Sequence, residues 1–257
     1  MRIVSICPSN TEIAWALGLG GEIVGIDDYS DWPPELQHLP RVGSDLAVDL
    51  DAIRALRPDL VLASLTVPGM ERNVEALRAA GIPHWVSDPK DPTGILQEIR
   101  ELAALTGRRE AGERLVAELE ARTAALRARV AGLAPVRVFW DWWPSPLMTP
   151  GRDNWLTAVT RWAGGENVFA DQPGPQVRPR HEEVVARAPE VILACWPGVP
   201  TEKIDVRRIA GRPGWDRIPA VREGRIHVVE EGLYCRPSQR LWDGAEALVA
   251  LLHPEAA

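Results

Sequence analysis

LDAIRALRPDLVLAS, residues 50–64, and HEEVVARAPEVILAC, residues 181–195, decide the fold. Each reads as a helix, a turn of proline followed by an acid, and a short apolar run, with Pro58 matching Pro189. An apolar run of roughly four to eight residues behind a breaker marks a strand buried on both faces, as in a parallel sheet. The preceding helix is the crossover that parallel pairing requires. The same offset sets residues 2–6 near 136–140, and Gly18-Leu19-Gly20 near Gly164-Gly165. A helix, a turn and a buried strand repeated at one offset predict a duplicated lobe, with chance likeness between α/β units as the alternative.

Outward from these segments, β-like runs alternate with helical patterns. Strands are predicted at residues 2–6, 23–27, 59–64 and 84–87, with helices over 11–19, 49–56 and 70–80. Ser9 and Glu12 have capping-box spacing ahead of the first helix, which stops at Gly18 and Gly20. Two Ala-, Leu-, Glu- and Arg-rich helices follow over 93–106 and 109–132, the second about 24 residues or about 36 Å long. That suits a rigid strut better than a coiled-coil arm, whose heptads would run further. Beyond it, strands at 136–140, 191–196 and 226–229 and helices at 154–163 and 238–252 restart the pattern. The fold class is α/β: two Rossmann-like lobes, residues 1–108 and 134–257, joined by a single long helix over 109–133. A ligand cleft is expected between the lobes, at the carboxyl ends of the strands.

Composition excludes several functions. The 257 residues carry a net charge of −7, the wrong sign for displacing phosphate counterions from nucleic acid. Among the 29 basic residues only Lys90 and Lys203 are lysine. No apolar run approaches the roughly 18 residues of a membrane span. MRIVSICPSN enters a strand at once and reads as having no export signal. Cys7, Cys195 and Cys235 are too few and too far apart in sequence for a disulfide framework or a zinc site, and read as small buried apolar residues.

Enzyme signatures are missing: no GxGxxG, no GxxxxGK[ST], no GxSxG and no HExxH. The five histidines show no metal-ligand spacing, so neither a metal nor a catalytic set is predicted. Asp141 or Glu231 would be the acid/base of an α/β enzyme, the minority reading. What stands out is aromatic usage: 11 Trp against 2 Tyr and 2 Phe. Trp15, Trp162 and Trp242 sit on helical patterns and read as core. Tyr29, Trp32, Trp85, Trp140, Trp142, Trp143, Trp196 and Tyr234 fall in or after predicted strands, with Arg236 in EEGLYCRPSQR. Flat aromatic walls and one arginine suit a large, planar, partly polar ligand. The plainer alternative makes about half of them packing residues, since Trp is mostly buried.

On CPSNTEIAWALGLGGEIVGIDDYSDWPPE (7–35), LRPDLVLAS, ERNVEALRAAGIPHWV and GGENVF (164–169), the chain resembles the type III substrate-binding proteins of ABC importers, and within them the cobalamin branch. The resemblance covers nearly the whole chain; YSDWPP is fairly specific, whereas RPDLV is shared by all branches. It implies a monomeric, non-enzymatic protein that carries a corrinoid, needs no cofactor and docks on permease subunits. It also implies a periplasmic or cell-surface location; the missing export signal makes a cytosolic corrinoid-handling protein the alternative, and a trimmed start would account for it equally well. Iron–siderophore complexes and haem are the alternative ligands. By position the resemblance sets Tyr29 or Trp32, Trp85 and Arg236 against the corrin, and Glu231 or Gly232 at a polar contact. Ser64 and Gln176 stand where the branch has aromatics, and Trp142 and Trp143 would compensate. Glu71 and Glu182 match the two glutamates that dock on permease arginines; without the resemblance they read as ordinary carboxylates at helix starts.

Overall fold

Residues 1–256 are described by the computed structural model, and the chain divides into two units between Leu119 and Glu120. The apolar runs of the first unit become strands with no wet face. β1 (Ile3–Ser5) is followed by α1 (Pro8–Ala16), β2 (Ile23–Ile26), a two-stranded ribbon of β3 (Gly43–Ser44) and β4 (Ala47–Val48), and α2 (Leu50–Ala55). Then come β5 (Leu60–Ser64), α3 (Glu71–Ala79), β6 (His84–Ser87), α4 (Pro92–Leu105) and α5 (Arg109–Arg129), inside which the division falls. The main sheet runs β2-β1-β5-β6, all parallel, with Val4 opposite Val61 and Leu62 opposite Trp85. Every residue of β1 and β5 is buried.

The second unit repeats the plan. β7 (Val136–Asp141) leads through β8 (Trp143–Pro144) and β9 (Leu147–Pro150) to α6 (Trp155–Trp162), β10 (Gly165–Asn167), β11 (Gln176–Val177), α7 (His181–Arg187) and β12 (Val191–Ala194). It closes with α8 (Val206–Ala210), α9 (Pro219–Arg222), β13 (Ile226–Val228), α10 (Glu231–Tyr234) and α11 (Leu241–Leu252). Its parallel sheet runs β10-β7-β12-β13, the strand order of the first unit again. The matched turns agree atom by atom. Arg57 and Ala188 both take positive φ, 48° and 42°, directly before Pro58 and Pro189. Each following acid then holds the start of the neighbouring strand: Asp59 Oδ2 accepts from the Arg2 amide at 2.7 Å, and Glu190 Oε2 from the Arg137 amide at 2.8 Å. A left-handed non-glycine residue costs roughly 1–2 kcal/mol; retaining it twice with the same anchor makes duplication the better account than chance.

Three expectations needed correction. No capping box forms at Ser9 and Glu12: α1 starts at Pro8, a residue suited to the first helical position, with Cys7 at the cap. The Ser9 hydroxyl instead lies 3.3 Å from Cys7 Sγ. Gly165 does not merely end a helix; it opens β10, because a Cβ there would stand 2.8 Å from Thr160 Cγ2 and 2.9 Å from Leu252 Cδ1. The stretch after β7, to which the sequence assigns no element, folds as a three-stranded antiparallel ribbon, β8 on β9 on β11, where the first unit has only the two-stranded β3-β4. Its strands are short and proline-bearing, below what alternation in sequence detects.

Candidate functional site

In parallel α/β sheets ligand chemistry collects at the carboxyl ends of the strands. In the first unit that edge is held by a buried polar network. Asp27, just past β2, has no exposed surface. Its Oδ1 accepts from the amides of Tyr29 and Ser30 at 2.8 and 3.0 Å, and its Oδ2 from the Ser30 hydroxyl at 2.5 Å. Ser30 continues to Thr11, and Thr11 to Ser5, each at 2.8 Å. Arg41 Nη1 clamps the same loop through the carbonyls of Asp27 and Ser30. This fixes the segment that carries Tyr29, about half exposed at 51%, and half-buried Trp32. Half-buried Trp85 sits within β6 rather than beyond it.

Burial pushes the Asp27 carboxyl up to about 6 against its hydrogen bonds. The native state then binds more protons than the unfolded one between roughly pH 4 and 6. Stability attributable to Asp27 therefore falls as pH rises through that window, by about 2–3 kcal/mol, and levels off above it. Asp27→Asn is expected to flatten that slope in urea titrations without loss of stability at pH 7. A variant that keeps the wild-type slope would show that another group titrates there.

In the second unit the corresponding edge is aromatic. Trp196, two residues past β12, keeps a partly open face while its indole N–H points to Asp141 Oδ1 at 3.3 Å. Asp141, the last residue of β7, is fully buried, with Arg212 Nη1 at 2.7 Å from Oδ2. Neither atom has a hydrogen bond aligned on it, so charge attraction carries the contact. Burial pushes the Asp141 carboxyl up and Arg212 pulls it back. Arg212 also lies over the Trp215 ring at 4.6 Å. This sealed ion pair is structural, which corrects Asp141 as an open acid/base. Trp142 packs edge-on against Trp155 at 6.1 Å and donates to Cys235 Sγ at 3.2 Å. Trp143 lies half-buried on the ribbon, its indole bonded to the Ser145 carbonyl.

Beyond β13, α10 carries Glu231, and Arg236 turns back on it, with Nη2 2.8 Å and Nε 3.1 Å from Glu231 Oε2. Arg236 is only 8% exposed, and that carboxylate holds its guanidinium in place. Tyr234 is a correction. It was expected against the ligand, but it is buried, spends its hydroxyl on the Gly244 carbonyl at 2.8 Å and packs on Trp140 at 5.2 Å. Its phenol pKa is pushed up by burial. Trp140 is likewise core, bonded to Thr160. Position after a strand tells how far along the chain a side chain lies, not which way it points.

The tryptophans thus divide cleanly. Trp140, Trp155, Trp162, Trp215 and Trp242 are sealed, and Trp15, Trp32, Trp85, Trp142, Trp143 and Trp196 keep an open face. Trp15 is accounted for by packing, because Gly20 lies close enough beneath it that a Cβ would stand 2.5 Å from the ring. The other five are the expected wall residues. Of the positions that depart from the branch pattern, Ser64 is buried and bonded to Thr66, and Gln176 is exposed on β11. Glu71, the first residue of α3, is exposed with its carboxylate on the Gly69 amide at 2.7 Å, and backbone bonds hold its pKa low. Glu182 is exposed in the first turn of α7. Sequence reasoning missed Arg212 and the meeting of Cys195 with Cys235, whose sulfurs lie 3.2 Å apart; both are long-range contacts with no local signal. Among the described residues no cluster of three or more His, Cys, Asp or Glu could hold a metal, and no helix is long and apolar enough to cross a membrane.

The chain is 36% identical over 194 residues to the vitamin B12-binding protein of Salmonella choleraesuis, covering 76% of this chain and 72% of that one. The crystal structure of the periplasmic vitamin B12-binding protein of Vibrio cholerae superposes with a TM-score of 0.79 at 28% identity, covering 99% and 97% of the two chains. The periplasmic heme-binding protein of Roseiflexus sp. RS-1, in apo form, gives a TM-score of 0.85 at 29% identity, covering 100% and 99%. Residues 3–231 match the model of the family described as periplasmic binding protein, and the chain belongs to that family.

Proposed function

We propose that this protein is the substrate-binding component of an ABC importer and that its cargo is cobalamin or a related corrinoid. The observation that carries the reading is the division of the tryptophans: five indoles, Trp32 and Trp85 in the first unit and Trp142, Trp143 and Trp196 in the second, keep an open face while the cores are filled by others. Flat apolar faces bury a large planar ring, and the indole N–H groups of Trp142, Trp143 and Trp196 are already engaged within the protein. Arg236, Glu231 and Tyr29 supply the polar contacts that orient the ligand's amide rim. Vitamin B12-binding relatives support the same ligand class. Glu71 and Glu182, one exposed acid per unit at a helix start, are the proposed anchors on a two-fold permease. Work with a permease places the protein outside the cytoplasm.

Titration with cyanocobalamin and with cobinamide is expected to quench tryptophan fluorescence at one equivalent. Trp196→Ala is expected to weaken binding by about 2 kcal/mol, roughly thirtyfold, as loss of a central aromatic anchor does. No quenching by either corrinoid would remove the ligand assignment. Haem is the second reading, favoured by the exposed Tyr29 phenol, an oxygen donor that ferric iron accepts, and by the heme-binding relative. A haem titration in parallel, read by its absorption band in wild type and Tyr29→Phe, separates the two; ferric siderophore complexes form the third arm.

A further inference from the structure

Cys195 follows β12 and is fully buried; Cys235 caps the carboxyl end of α10 and is half-buried. Forty residues apart in sequence, their sulfurs lie 3.2 Å from each other, and the Trp142 indole N–H donates to Cys235 Sγ at 3.2 Å. A disulfide bond is about 2.0 Å long, so small side-chain rotations close the gap. The third cysteine, Cys7, belongs to the first unit and bonds Ser9. We propose that Cys195 and Cys235 form a reversible intramolecular disulfide, a modification site on the shelf that carries Glu231 and Arg236.

The geometry assigns the order of steps. Cys195 is fully buried and Cys235 half-buried, so Cys235 is the one an oxidant meets first. It attacks one sulfur of a disulfide oxidant such as glutathione disulfide; one glutathione leaves as thiolate and a mixed disulfide remains on Cys235. Cys195, after losing its proton, attacks the Cys235 sulfur and expels the second glutathione. The protein gives up two protons and two electrons, and the oxidant is reduced to two thiols. The hydrogen bond to Cys235 and burial both hold Cys195 as the thiol until it reacts. The new bond ties the end of a central strand to α10. In an oxidising compartment it is the resting form, and in a reducing one the dithiol is.

The test uses the full chain, fully reduced and then incubated with glutathione disulfide, acid-quenched, denatured and alkylated. The expected product carries one alkyl group, on Cys7, with a mass lower by two hydrogens and a linked peptide joining Cys195 to Cys235. Dithiothreitol restores three alkylated cysteines, and the oxidised form melts several degrees higher. In Cys195→Ala a glutathione adduct is expected to stall on Cys235; in Cys235→Ser neither adduct nor link forms. Three alkylated cysteines after prolonged exposure, a persistent wild-type adduct, a link to Cys7 or a link between chains would each overturn the proposal. Peptide mapping of the wild type decides the matter even where a variant fails to fold.

Discussion

Arg212→Met is expected to destabilise the second unit by about 3–5 kcal/mol at pH 7, because it strands a buried carboxylate. Asp141 has no exposed surface, and Arg212 is the cation beside it at 2.7 Å. Without the guanidinium, only the Trp196 indole N–H at 3.3 Å and nearby His181 offset the charge, and the carboxyl titrates higher still. The native variant then holds a proton that the unfolded chain has already released, so the deficit grows with rising pH and shrinks toward acid. Urea denaturation at two pH values reads both effects. The double variant Asp141→Leu with Arg212→Met is expected to recover most of the loss, since buried pairs replaced together by apolar residues of similar volume are often neutral. A cost below about 1 kcal/mol for the single variant would mean that water reaches the pair. The double variant also frees Trp196 from the carboxylate that orients it, so ligand affinity should fall there even where the fold survives.

Trp140→Ala is expected to cost a comparable 3–5 kcal/mol, the usual price of removing a large buried aromatic. The indole is fully buried in β7, bonds Thr160 and forms the floor on which Tyr234 packs. The cavity would lie beneath α10, so Glu231 and Arg236 lose their support together. Trp140→Phe keeps much of the volume and gives up the hydrogen bond, and should cost about 1–2 kcal/mol. Calorimetry and ligand titration on the two variants distinguish a collapsing shelf from a locally refilled one: only in the first do affinity and stability fall together.

The parts of this architecture written in the sequence are those where neighbours along the chain are also neighbours in space. VILA and LVLAS show as strands because wholly buried parallel strands have no polar face to spare. The helix, proline and acid of residues 50–60 and 181–191 reveal the doubling because each turn is closed locally and then anchored by its acid. The ribbon after β7 escaped because Pro144, Pro146 and Pro150 read as breakers, while its pairing partner lies some 25 residues away at Gln176. Trp32, Trp85, Trp142, Trp143 and Trp196 were nominated for the site by residue type, and all five keep an open face. Tyr234 was misplaced because its direction is set by Trp140 and Gly244, which no local pattern announces. Glu12 and Ser9 matched a motif that Pro8 pre-empts by starting the helix earlier.

A chain that doubles its own gene inherits every recognition surface as a matched pair. Such a pair serves an object that looks the same from two directions, and few metabolites do. The ribbon β8-β9-β11 breaks that symmetry, because the first unit carries only the two-stranded β3-β4 beside its main sheet. If the proposed function holds, the asymmetry of the cargo would be read where the two halves differ, and exchanging that ribbon is a route to a receptor of altered taste.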